Sequence, residues 1–194
     1  MSTRISKEEL SLFEKLHNKR LDALKVLSTR PFRGVWKNVI DQYPESAHFI
    51  YELLQNANDA KAYYARINIT KEGVIFIHNG TIQFSITSSE GEEKENRKIG
   101  HINSITSIGD SSKDGLNTIG KFGIGFKSVF SYTDTPYIYD DKFWFRIDNY
   151  IVPILLDEDF EGRNEGETLF WLPFKSNDKE RCYKEVAKKN TNTR

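Results

Sequence analysis

Short runs of aromatic and β-branched residues constrain the fold more than any other feature of this 194-residue chain. Two runs, YARINIT and GVIFIHNG, meet at the turn KEG and predict a β-hairpin. Four more, TPYIYD, KFWFRID, YIVPILL and TLFWLPF, follow one another in the last third of the chain and predict a strand meander. Helical patterns precede these strands. We therefore predict an α+β fold, a two-layer sandwich whose mixed, mostly antiparallel sheet carries helices on one face.

Three helices are predicted before the hairpin. Residues 6–27 carry leucines near helical spacing, and Ser6 stands before two glutamates as at a helix start. VWKNVIDQY is typical of a short second helix. Pro44 then opens the helix that contains YELLQNANDA, because proline is tolerated in a first turn.

Two other segments are polar. Residues 85–119 are rich in serine and glycine, which predicts a long mobile loop, or lid, with one helical segment around 98–107. Residues 176–194 are polar as well and are expected to be a linker or the start of a further domain.

The composition excludes several classes of protein. Hydrophobic residues make up 38% and charged residues 29%, and the 28 basic residues equal the 28 acidic ones, so nothing favours binding to nucleic acid. Cys182 is the only cysteine, which rules out an intramolecular disulfide. No apolar run approaches the roughly 18 residues that span a bilayer. We expect a cytoplasmic protein without a membrane partner, whose aromatic residues belong to the core.

The helix YELLQNANDA combines an apolar stripe with a polar one. Glu52, Asn56 and Asp59 fall within roughly 60° of one another around the helix axis. Apolar residues occupy the adjoining arc, so one stripe faces a core while the other forms a candidate site. Taken alone, the polar stripe is equally well explained as a solvated helix face.

The stretch GKFGIGFKS is rich in glycine and leads into a short helix. It is not a P-loop, because Phe126 separates Gly125 from Lys127, and it lacks the third glycine of a dinucleotide fingerprint, where Ser128 stands. The pattern present is G-x-x-G-x-G. It lets backbone N–H groups approach a phosphate at a helix N-terminus, and Lys127 would add charge. The alternative is a tight loop that needs glycine torsions.

Taken together, these motifs resemble the GHKL ATPases, the superfamily of gyrase B, the 90-kDa heat-shock chaperone, histidine kinases and MutL. ELLQNANDA resembles its first box, E-x-x-x-N-x-x-D-A; IGKFGIGFKSVF resembles its glycine box; GETLFWLPF resembles its last box. With HNG and SIGDSSK added, the set is most similar to the sacsin-like branch. The resemblance covers roughly residues 35–175 and implies a Bergerat-type ATP-binding domain there, after a helical extension at 1–34.

The resemblance implies a role for each motif residue. Glu52 would be the general base that activates the attacking water, and Asn56 would bind magnesium. Asp59 would orient the pocket floor, and Thr168 would hydrogen-bond near the adenine, unless it is an ordinary strand residue. The implied nucleotide-binding residues are Asn56, Asp59, His78, Asn79, Gly80, Gly120, Lys121, Phe122, Gly123, Ile124, Gly125, Phe126, Lys127 and Thr168. The cofactors would be ATP and magnesium.

The second box departs from the superfamily pattern. That pattern is D-x-G-x-G, whose aspartate accepts the adenine amino group, whereas this chain has His78, Asn79 and Gly80. Neutral His78 or the carbonyl of Asn79 would accept that hydrogen bond, each more weakly than a carboxylate. Alternatively, His78 caps a strand end.

The resemblance implies an ATP-driven conformational switch that hydrolyses ATP slowly in isolation, because the γ-phosphate contact commonly comes from a following domain. We expect the N-terminal module of a larger chaperone-like or defence-associated protein, with a partner or second protomer bound through the lid. The lid isoleucines would pack one face of its helix: Ile99, Ile102, Ile105 and Ile108. The alternative is an interaction module that binds ATP without hydrolysis. A histidine kinase is disfavoured, since no histidine lies in a dimerising helical hairpin.

Overall fold

The computed structural model describes residues 4–34, 49–92, 99–107 and 125–191. In chain order the elements are α1 (Lys7–Leu27), α2 (Phe49–Asp59), β1 (Ala65–Ile69), β2 (Gly73–His78), α3 (Ser89–Glu92), α4 (His101–Ile105), a 3₁₀ helix (Lys127–Ser131), β3 (Tyr137–Tyr139), β4 (Trp144–Asp148), β5 (Val152–Leu155), β6 (Thr168–Pro173) and α5 (Lys179–Thr191).

The strands form one six-stranded sheet in the order β1-β2-β6-β3-β4-β5. All of the described pairings are antiparallel. The predicted meander is correct only for β3, β4 and β5, because β6 lies between β2 and β3 in the middle of the sheet instead of beside β5. The pairing of β6 with β2 sets His78 opposite Thr168, so the end of one strand meets the start of the other. The predicted α+β fold and the predicted hairpin are confirmed.

One face of the sheet carries the core, because side chains of a strand alternate between its two faces. Phe76 on β2 lies opposite Phe170 on β6, and Ile138 on β3 lies opposite Phe170 on its other side. All three are buried in one cluster with helix residues such as Leu53 and Ile102. The helices thus pack on this face and form the second layer.

The first helix packs on the sheet of its own chain. Ser6 and Glu9 form the capping box that the sequence predicts, with the Glu9 N–H donating to Ser6 Oγ at 3.2 Å. Phe13 and Leu16 are buried in the core. His17 Nδ1 lies 2.8 Å from the carbonyl oxygen of Pro153 on β5. Helix α1 therefore covers the β5 edge of the sheet.

The C-terminal segment, expected as a linker or the start of a further domain, forms α5. Its Cys182 and Val186 are fully buried in the same core cluster. The polar residues of this helix carry exposed ion pairs, such as Arg181 with Asp178. A single apolar stripe is thus enough to attach an otherwise polar helix to the domain.

The lid is described in part. Helix α4 spans His101–Ile105, which is shorter than the predicted segment 98–107, and its Ile102 and Ile105 are fully buried as expected. The predicted short helix of VWKNVIDQY, Pro44, Ile108 and most of the glycine stretch lie outside the described residues. No helix in the part of the chain that the structure describes is long and apolar enough to cross a membrane.

Candidate functional site

Helix α2 presents the predicted polar stripe beside the core. Leu53 and Ala57 are buried in the hydrophobic cluster. Glu52 and Asn56, which precede them on the helix, therefore lie at the edge of this cluster. Glu52 is half-buried, Asn56 is 6% exposed and Asp59 is exposed. The Nδ2 atom of Asn56 is buried and has no hydrogen-bond partner among the described residues. An unpaired buried amide is costly, which points to a polar ligand at this position.

Glu52 lies against the end of the glycine stretch. A Cβ atom built on Gly125 would be 1.8 Å from Glu52 Oε2 and 2.6 Å from its Cδ. The peptide backbone at Gly125 therefore approaches the carboxylate more closely than any other residue type would allow. The first and glycine boxes, about seventy residues apart in the sequence, meet at this contact.

A cleft opens beside the stripe, with about 430 Å³ of space that is partly open to solvent. Its polar residues come from the end of α2, the end of β2, the start of β6 and α4. The lining residues are Asp59, Ala60, His78, Ile82, Gln83, Phe84, His101, Thr168 and Phe170.

His78 forms part of the floor of this cleft and is 3% exposed. Its Nδ1 atom accepts a hydrogen bond of 3.0 Å from the N–H of Gly80. The imidazole stacks on the ring of Phe170, with 6.1 Å between the ring centroids. Burial lowers the pKa of His78 to about 4, because the charged form loses its hydration. The side chain is therefore neutral at physiological pH.

The two residues after His78 shape the turn. The side-chain oxygen of Asn79 accepts hydrogen bonds from the backbone N–H groups of Tyr63 and Tyr64, at 3.0 and 3.1 Å. This side chain thus ties the end of β2 to the segment that enters β1. A Cβ on Gly80 would lie 2.6 Å from the Cβ of Ala60, so the close approach requires glycine.

Lys127 and Phe126 lie inside the domain rather than in the cleft. Lys127 is 2% exposed, and its Nζ donates a hydrogen bond of 2.6 Å to the carbonyl oxygen of Tyr150. Burial, and secondarily the charge of Arg20, lowers the pKa of Lys127 to about 7. Phe126 packs on Phe170 in the core. In this arrangement the desolvated amine satisfies a backbone carbonyl, and the phosphate contact expected of Lys127 stays a prediction.

The structure thus brings Asp59, His78 and Thr168 together in one cleft. Glu52, which lies on the same helix as Asp59, meets the backbone of Gly125. The remaining predicted residues of the glycine box lie outside the described residues, and their roles stay predictions: Gly120, Lys121, Phe122, Gly123 and Ile124.

The sequence motifs do not include the walls of the cleft. Phe170 lies two positions after Thr168 on the same strand, so strand alternation alone places both on one face. Phe84 and His101 have no such signal, because a tertiary contact positions them. Asp140 holds Phe84 by accepting its backbone N–H at 2.7 Å, and Ser85 Oγ lies 2.9 Å from His101 Nδ1.

Asn56 could supply one oxygen to a magnesium ion that is held mainly by the phosphates of a bound nucleotide. No group of three or more histidine, cysteine or acidic residues that would enclose a metal occurs among the described residues. Magnesium usually keeps several waters and takes only one or two protein oxygens beside substrate phosphates. With its amide reversed, Asn56 would present one such oxygen in place of its unpaired Nδ2.

Comparison with known proteins finds similarity to segments of two much longer chains. Protein NO VEIN of Arabidopsis thaliana is 32% identical over 197 residues, which cover 91% of this chain and 6% of that protein. Sacsin of Homo sapiens is 33% identical over 125 residues, which cover 58% of this chain and 3% of Sacsin. No family model matches the chain. The chain is therefore homologous to a small part of each protein, in agreement with the sacsin-like resemblance of its motifs.

Proposed function

We propose that this domain binds ATP with magnesium, hydrolyses it slowly and acts as a nucleotide-dependent conformational switch. The observation that carries the proposal is the convergence of motif residues. Asp59, His78 and Thr168 are distant in the sequence but line one cleft, and Glu52, on the same helix as Asp59, meets Gly125. The adenine would occupy the cleft, and the phosphates would extend along α2 toward Gly125.

Glu52 is the proposed general base. Its carboxylate is half-buried and lies directly at the backbone of Gly125, where the glycine stretch would hold the γ-phosphate. It would accept a proton from the attacking water and orient that water for in-line attack. Asn56 is one helical turn away and would hold the magnesium ion, which supplies charge neutralisation of the phosphate oxygens.

Helix α4 is the proposed moving part of the switch. His101 at its start lines the cleft, so a bound base would contact it directly. The rest of α4 is attached to the segment before it: Asn103 exchanges two hydrogen bonds with the backbone of Thr87, at 2.8 and 3.0 Å. Arg20 of α1 donates to the carbonyl oxygen of Asn103 at 3.2 Å. A shift of α4 would therefore be transmitted to α1 and change the surface available to a partner or second protomer.

The second candidate is a module that binds ATP without hydrolysing it. The observation that favours it is the engagement of Lys127 with Tyr150, which leaves that charge far less available to a γ-phosphate. In either case the similarity to Sacsin supports a module of a larger, chaperone-like protein, and a defence-associated role is equally compatible with the site.

Calorimetric titration of magnesium-ATP, magnesium-ADP and magnesium-GTP into the domain tests binding. Asn56→Ala should abolish binding, while Asn58→Ala, which changes an exposed asparagine on the same helix, should leave it intact. Equal binding by both variants, or none by the native chain at millimolar nucleotide, would refute the proposal. Chromatography of the bound nucleotide after long incubation separates the two candidates, because ADP accumulates only if Glu52 functions as a base.

A further inference from the structure

The hydrogen bond between Gly80 and His78 determines which imidazole nitrogen carries the proton. A nitrogen that accepts a hydrogen bond from a backbone N–H must present a lone pair, so Nδ1 is unprotonated. A neutral imidazole has one N–H group, which must then lie on Nε2. His78 therefore donates a hydrogen bond through Nε2 and cannot accept one at that atom.

The surroundings of the ring hold this arrangement in place. Phe170 stacks on the imidazole, and Phe76 lies 6.0 Å from it between centroids. The turn that carries Gly80 is tied to Ala60, whose carbonyl oxygen accepts the Ile82 N–H at 3.3 Å, so the Gly80 N–H cannot move away from Nδ1 without disturbing the turn. Protonation of both nitrogens is disfavoured as well, because burial lowers the pKa of His78 to about 4. Rotation of the ring would leave the buried Gly80 N–H without an acceptor, which is costly.

The remaining groups in the cleft complement such a donor. Ile82, Phe84 and Phe170 supply apolar walls suited to a flat ring. Asp59, at the exposed rim of the same cleft, is an acceptor when ionised. The cleft thus presents a buried donor and an exposed acceptor. Within the described part of the chain, no protein group accepts from His78 Nε2.

We propose that His78 is the base-recognition residue of the cleft and donates its Nε2–H to an unprotonated ring nitrogen of adenine. This inference rests on the proposed function. It reverses the hydrogen bond expected from the sequence, in which His78 accepts from the adenine amino group. Two ring nitrogens lie beside that amino group, N1 and N7, and both are acceptors. The amino group itself would face Asp59 at the rim, where water weakens the interaction.

Nucleotide analogues distinguish the two directions of the hydrogen bond. The probes are ATP, 1-deaza-ATP, 7-deaza-ATP and purine riboside triphosphate, which lacks the amino group but keeps both nitrogens. One deaza analogue should bind about tenfold more weakly than ATP, because the buried donor is then unpaired. Purine riboside triphosphate should stay within about threefold of ATP. The deaza analogue that loses affinity identifies the nitrogen.

Variants of His78 test whether this side chain causes the difference in affinity between the analogues. In His78→Phe, which keeps an aromatic ring between Phe76 and Phe170, the deaza analogues should bind as ATP does. In His78→Asp, purine riboside triphosphate should become the weak ligand, because a carboxylate accepts from the amino group. His17→Phe, remote from the cleft, is the matched control and should retain the native pattern. Thermal unfolding of each variant establishes that it is folded.

Long-range ¹H–¹⁵N NMR of the unliganded domain gives an independent readout. We expect a protonated Nε2 and an unprotonated Nδ1 for His78, and the opposite tautomer would overturn the inference. It is also overturned if both deaza analogues bind like ATP while purine riboside triphosphate is weakened. That outcome leaves the proposed function intact. If no nucleotide binds the native domain, the proposed function fails and this inference fails with it.

Discussion

The contact between Gly125 and Glu52 yields the sharpest prediction, the effect of Gly125→Ala. The added methyl group would lie 1.8 Å from Glu52 Oε2, whereas ordinary van der Waals contacts begin at 3.4 Å. The carboxylate must therefore move by more than about 1 Å. Displacing a catalytic group by roughly that distance costs on the order of a hundredfold in rate. Because Glu52 is half-buried and its side chain can rotate, the free energy of unfolding should fall by only about 1 kcal/mol.

The assay is single-turnover ATP hydrolysis together with thermal unfolding. Gly34→Ala is the matched control, since nothing lies within 4 Å of a Cβ at that position. Glu52→Gln provides a double-mutant cycle: if Gly125→Ala acts through the carboxylate, it should add little in that background. The reasoning is refuted if Gly125→Ala hydrolyses ATP at the native rate, or if it slows the Glu52→Gln variant by a further hundredfold.

Three other predictions concern buried polar groups. Lys127 has a folded-state pKa of about 7, below its unfolded value of 10.5, so between these pH values it binds fewer protons in the folded state. The free energy of unfolding should therefore rise with pH from 7 upward, and urea titrations across pH should show no such rise in Lys127→Met. The pKa of His78, about 4 when folded and 6.5 when unfolded, predicts that stability is lost as the pH falls from 6.5 to 4, and His78→Phe should lose less in the same titrations. Asp140 accepts three backbone N–H groups, those of Phe84, Lys142 and Phe143, so Asp140→Asn should lower the free energy of unfolding by about 2–3 kcal/mol. An equal loss in Asp134→Asn, which changes an exposed residue, would contradict this assignment.

The strands were predictable because their signal is local. Alternation and turn residues were enough for the hairpin, and the aromatic runs matched β3 to β6. The site was partly predictable as well, since the helical spacing of Glu52, Asn56 and Asp59 places them on one face whatever the tertiary structure.

The tautomer of His78 and the position of Lys127 were not predictable in this way. The tautomer of His78 depends on a hydrogen bond from the Gly80 N–H, and the motif His-Asn-Gly alone does not show that the turn closes in this way. Lys127 is satisfied by Tyr150, 23 residues later in the chain, and its position in a glycine-rich motif suggested a different partner. Polar residues inside a domain take their roles from the backbone groups that the fold brings to them, and the sequence pattern does not show which groups these are.

The packing of α1 on β5 also covers one edge of the sheet. An uncovered edge strand presents unpaired N–H and C=O groups that template pairing with another chain. Here His17 covers the carbonyl oxygen of Pro153, and proline itself offers no N–H. The same helix shields Phe143 and Phe145 through Phe13. A chain shortened to begin after α1 would expose both the strand edge and these rings, and it would be prone to aggregate through β5.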